Sequence, residues 1–122
     1  MKIDILSDLH LDYYFLADEN VSTQAVKSVF DPIFLDDQQR KPGDVLIIAG
    51  DIGHYNSQNI QILEVFKEEY YKHIICVLGN HDYYLLTYDE EKKYNQDSFN
   101  RVNEMRELIN AEENMYCLNG DV

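Results

Sequence analysis

The apolar positions of this chain change period as it proceeds, and the changes mark its elements. "KIDIL" (2–6) alternates polar and apolar residues, which predicts a short strand. "VLIIAG" (45–50) and "HIICVLGN" (73–80) are continuous apolar runs, which predict strands buried on both faces. "MYCL" (115–118) begins a fourth. Between them the period lengthens to that of a helix. In "NVSTQAVKSVFDPIFLDD" (20–37), Val21, Ala25, Val26, Val29 and Phe30 recur at helical spacing. Pro32 removes a helix donor and crowds the preceding turn, so this helix is expected to end near Phe30. "SQNIQILEVFKEEYYK" (57–72) puts Ile60, Leu63, Phe66 and Tyr70 on one face, with Ser57 in the place of a cap. "SFNRVNEMRELINAEEN" (98–114) does the same with Phe99, Val102, Met105, Arg106 and Ile109, behind Ser98. "SDLHLDYYF" reads as a loop and "KPGD" (41–44) as a turn, while 83–97 is rich in tyrosine and charge and shows no clear period.

Strands that alternate with helices predict an α/β fold: a mostly parallel sheet with flanking helices, built from crossover units. Ligands of such open sheets bind beyond the carboxyl ends of the strands. The 122 residues suit one modest core, and no repeat, low-complexity stretch or linker divides them, so residues 1–122 are expected to form a single domain.

Composition narrows the function classes. Apolar residues make up 45% and charged residues 27%, the balance of a folded protein rather than a disordered one. The net charge of −13, from 23 acidic and 10 basic residues, repels duplex nucleic acid and anionic membranes. A phosphate substrate is still admissible, because bound divalent cations reverse the sign locally. Cys76 and Cys117 sit in strand-like runs and lack zinc-site spacing, so they read as buried free thiols in a reducing compartment. Asp4 and Asp8 interrupt the opening apolar residues early, unlike a signal peptide, and no run approaches the ~18 apolar residues of a membrane helix. A cytoplasmic protein is the expectation.

The chemistry collects at the strand ends. The first predicted strand runs into Asp8 and His10, the second into Asp51 and His54, the third into Asn80, His81 and Asp82. Parallel strands would bring all three sets to one edge. Asp8 and His10, two residues apart on a bending loop, can grip one ion from the same side. Asp51 has two anionic oxygens and can bridge two ions. Asn80 offers a neutral carbonyl oxygen. Oxygen and nitrogen donors without cysteine favour Mn, Fe, Zn or Mg over soft metals. Gly50 and Gly79 remove side chains where the backbone must turn beside the ligands. A pair of such ions can clamp a phosphoryl group and acidify a water, and His81 could then protonate the leaving oxygen.

With "DLH" at 8–10, "GDIG" at 50–53 and "GNHD" at 79–82, in that order and each after a strand, the chain resembles the calcineurin-like metallophosphoesterase family. The resemblance implies the N-terminal part of an αββα sandwich and a binuclear, metal-dependent hydrolase of phosphate esters, with manganese favoured among the divalent metals. It implies that Asp8 and His10 hold the first ion, that Asp51 bridges, that Asn80 holds the second, and that His81 is the catalytic histidine. The family pattern goes on to further histidine ligands in a "GHxH"-like motif, whereas no histidine follows His81 here. The chain is therefore expected to be a truncated form of the domain, with one sheet face lacking its covering layer. Many members carry "GDxxD", where this chain has His54 as the last residue; His54, Asp82 and Tyr83 are candidates for contact with substrate or with the ligands. Tyr13, Tyr14 and Tyr84 also follow the motifs and read as sheet-edge packing or pocket lining. A reading from a different class is a non-catalytic remnant acting as a binding or oligomerisation module, a homo-oligomer formed through the uncovered apolar face.

Overall fold

A computed structural model describes residues 1–11, 14–15, 20–38, 42–53, 55–78, 92–93 and 98–118. Along them run β1 (Ile3–Ser7), α1 (Thr23–Phe34), β2 (Gly43–Ala49), α2 (Asn56–Glu69), β3 (Tyr71–Val77), α3 (Ser98–Ala111) and β4 (Met115–Leu118). The sheet is parallel in the order β1-β2-β3-β4. The α/β reading of the pattern therefore holds, as a parallel sheet with helical crossovers.

Strand order and register set where everything else lies. Each strand pairs with its predecessor in the chain, and every connection is a helical crossover. Such crossovers are right-handed, so moving one strand along the same direction each time puts α1, α2 and α3 on the same face. Burial agrees. Leu46, Ile48, Ile74, Cys76, Met115 and Cys117 share one core with Val26, Phe30 and Phe34 of α1, Ile62, Leu63 and Phe66 of α2, and Met105 and Ile109 of α3. On the opposite face Ile3, Ile5, Val77, Tyr116 and Leu118 are 41–68% exposed. This corrects the expectation of strands buried on both faces: Ile47 and Ile75 are only half-covered, because among the described residues no helix packs on their side. The two thiols, Cys76 and Cys117, are free and buried under the helices, directly paired across β3 and β4.

Several helix boundaries differ from the pattern: α2 ends at Glu69, with Tyr71 and Lys72 already in β3, and α3 ends at Ala111. α1 runs through Pro32 to Phe34, with Leu35 N–H donating to the Asp31 carbonyl at 2.9 Å. The last turn persists because it delivers Phe34 into an aromatic cluster. Its ring lies 5.1 Å from Phe66, 5.0 Å from Tyr70 and 5.6 Å from Tyr71. That packing outweighs the local cost of a proline near a helix end. α2 begins at Asn56, a turn position earlier than expected, with Tyr55 as its cap residue and no side-chain cap bond; Ser57 is inside the helix. The cap at Ser22 does form, its Oγ accepting from Ala25 N–H at 3.1 Å.

Candidate metal centre

The register aligns the strand ends: Ser7 lies opposite Ala49, Ala49 opposite Val77, and Val77 opposite Leu118. The loops after β1 and β2 therefore leave the sheet side by side. Both turn at once through left-handed backbone, with φ of 52° at Asp8, 46° at His10, 83° at Gly50 and 51° at Asp51. Such angles suit Gly50 but crowd the Cβ of any other residue, at roughly 1–2 kcal/mol each, with Asp, Asn and His tolerating them best. One other non-glycine among the described residues, Asn114 before β4, has a positive φ.

Three backbone bonds hold the strained turns. His10 N–H donates to the Asp51 carbonyl at 2.9 Å, Leu11 N–H to Ile52 at 2.8 Å, and Gly50 N–H to Val77 at 2.6 Å. Leu11 and Ile52 are fully buried and tie both loops to the core. The outcome is a cluster in which one ligand atom from each of Asp8, His10 and Asp51 lies within 4.8 Å of the others. Asp8 is exposed and the other two half-buried. Two carboxylates this close repel each other, and a cation between them removes the repulsion. The donor set of carboxylate oxygens and an imidazole nitrogen, with no thiolate, fits a hard or borderline divalent ion.

His54, Asn80, His81, Asp82 and Tyr83 lie outside the described residues. His73 lies within β3, half-buried, its ring 6.5 Å from that of Tyr116.

A second layer went unread in the pattern. Asn56, Gln58 and Asn59 in the first turns of α2, and Arg101 in α3, are all at most 3% exposed. Arg101 Nη2 donates to the Gly53 carbonyl at 2.6 Å, and Asn59 Nδ2 donates to the same oxygen at 3.0 Å. Asn56 Nδ2 donates to the Arg101 carbonyl at 2.9 Å and to Glu104 Oε1 at 3.0 Å. A Cβ at Gly53 would collide with Asn59 Oδ1 and press to 3.2 Å from Leu11 Cβ, so a side chain there would displace Asn59. A signal for Arg101 existed: it precedes Met105 and Ile109 by one and two helical repeats, on the apolar stripe itself. Arg106, placed on that stripe by the pattern, is only half-buried.

A search of curated proteins and a search of solved structures each returned no match. Among protein-family models, the one described as calcineurin-like phosphoesterase matches residues 1–122, the whole chain. The match agrees with the parallel sheet and with the Asp-His-Asp cluster at its carboxyl edge, and on it the chain belongs to the calcineurin-like phosphoesterase family.

Proposed function

We propose that this chain carries part of the binuclear metal centre of a phosphoester hydrolase. The observation that supports the reading most is the convergence of Asp8, His10 and Asp51 within 4.8 Å at the carboxyl edge of the sheet. In a family of phosphoesterases, phosphate esters are the substrate class that follows. Asp8 and His10 would hold the first divalent ion, Asp51 would bridge, and Asn80 would hold the second, with manganese the favoured metal. Bound ions of this kind supply positive charge to phosphoryl oxygens and bring the pKa of water toward neutrality. The strained turns aim two carboxylates and an imidazole at one point before any ligand arrives, so little reorganisation remains to be done on binding. His81 would protonate the leaving oxygen. His54, Asp82 and Tyr83 would touch substrate or orient the histidine. The reading takes residues 1–122 as a single domain that carries these ligands.

The test is manganese-dependent hydrolysis of an aryl phosphate by the wild-type chain and by Asp51→Asn. The wild-type chain is expected to be slow, with few protein ligands for the second ion, and Asp51→Asn is expected to lose what turnover there is. Equal metal-dependent turnover in both contradicts the reading.

A binding or oligomerisation module remains the alternative, and the bare apolar sheet face favours it. In that reading a second copy of the chain covers Ile3, Ile5, Tyr116 and Leu118. Light scattering on the eluted protein separates the two: a stable oligomer without activity supports the module, and a monomer at high concentration contradicts it.

A further inference from the structure

Three successive carbonyls carry the loop that presents Asp51, two held by the loop after β1 and the third by two helices. Those of Asp51 and Ile52 accept from the amides of His10 and Leu11 in the loop after β1. The third, Gly53, accepts from Arg101 Nη2 and Asn59 Nδ2, which come from two separate helices. Arg101 is among the largest fully buried side chains of the described residues and has no solvent exposure. Burying a guanidinium is costly unless its donors are used, and one of them meets the loop at 2.6 Å. Asn56 fixes the Arg101 carbonyl, so the long side chain starts from an anchored backbone. Asn59 turns its amide nitrogen to Gly53 although this leaves Oδ1 buried with no hydrogen-bond partner among the described residues.

We propose that Arg101 is a positioning residue for the metal centre: by gripping the Gly53 carbonyl it keeps Asp51 in its left-handed conformation, with the carboxylate beside Asp8 and His10. The inference rests on the metal-centre reading above. It assigns to α3, 48 residues along the chain from Gly53, control over a ligand it never touches. Partners of metal ligands act in this way, and their loss costs 10–100-fold in metal affinity.

Two measurements on the 122-residue chain test it. The first is amide hydrogen exchange without metal, comparing wild type with Arg101→Met and Arg101→Lys. Exchange at His10 and Leu11 is expected to accelerate in Arg101→Met while Ile74 and Cys76 of β3 keep their protection. The second is calorimetric titration with Mn²⁺, where Arg101→Met is expected to bind about 10–100-fold more weakly and Arg101→Lys to recover part of the loss. Unchanged exchange and unchanged affinity overturn the proposal. So does loss of protection spread evenly over β3, which would make Arg101 a general core residue. Should Arg101→Met fail to fold, Arg101→Lys and Asn59→Ala each weaken the grip on Gly53 by a smaller change; no selective change at His10 and Leu11 in either overturns the proposal equally. A wild-type chain that binds no Mn²⁺ sinks the metal-centre reading and the metal role of Arg101 with it, while the exchange data still decide whether the grip on the loop exists.

Discussion

At Asp8, His10 and Asp51 the side chain and the backbone make opposite demands. The chemistry needs an acid or an imidazole, and the left-handed backbone would be relieved by glycine. Asp51→Gly is therefore expected to raise metal-free stability by about 1 kcal/mol, through relief of strain and of carboxylate repulsion, while abolishing Mn²⁺ binding. Thermal unfolding with and without Mn²⁺ checks both halves. Away from the site, Glu64 has its pKa raised by burial and by the facing carboxyl of Glu112. A raised acid contributes its stability at low pH, below the ordinary glutamate range, and loses it as pH rises through the folded value. Glu64→Gln should thus stabilise the protein at neutral pH, by at most about 1 kcal/mol since both groups meet solvent, and the gain should vanish in acid. Denaturant titrations at the two pH values measure this. Asp8, His10 and Asp51, which the fold brings together, were legible in the sequence because each follows the end of an apolar run. Arg101 was legible only as a residue on the apolar stripe, since its partner, the Gly53 carbonyl, is supplied by tertiary structure.

At the scale of elements, local signals located the strands and helices and misjudged some of their ends. Pro32 is a correct local warning, overridden by what lies two residues beyond it. Phe34→Ala removes that compensation and is expected to cost about 3–5 kcal/mol, read from denaturant midpoints. The same helix is anchored through Asp31, which accepts from the Tyr70 hydroxyl. Burial and the facing carboxylate push the Tyr70 pKa well up, so the phenol stays protonated and keeps donating. Tyr70→Phe is expected to lose about 1.5–3 kcal/mol, the usual worth of a hydrogen bond to a charged group. The start of α2 was misplaced for another reason. Ser57 looks like a cap, but Asn56 is drawn into the helix by its bonds to Arg101 and Glu104, contacts 45 and 48 residues away that no local pattern contains.

For the whole molecule, sequential strand order does two things at once. It puts α1, α2 and α3 on one face, leaving Ile3, Ile5, Tyr116 and Leu118 open to solvent, and it aligns the strand ends so that loops more than forty residues apart share the Asp-His-Asp cluster. The alternation of periods foretold the parallel sheet and hence the shared edge. It did not foretell the bare face, because a continuous apolar strand looks the same whether one or both sides are covered. If that face mediates self-association, Ile5→Lys combined with Tyr116→Lys should lower the apparent mass in light scattering without altering Mn²⁺ affinity. Among the described residues no helix is long and apolar enough to cross a membrane. The most direct test of the centre is crystallographic: crystals grown with Mn²⁺, with data collected at the manganese edge. An anomalous peak in contact with Asp8, His10 and Asp51 is expected, and a map with no peak there at saturating Mn²⁺ would contradict the assignment.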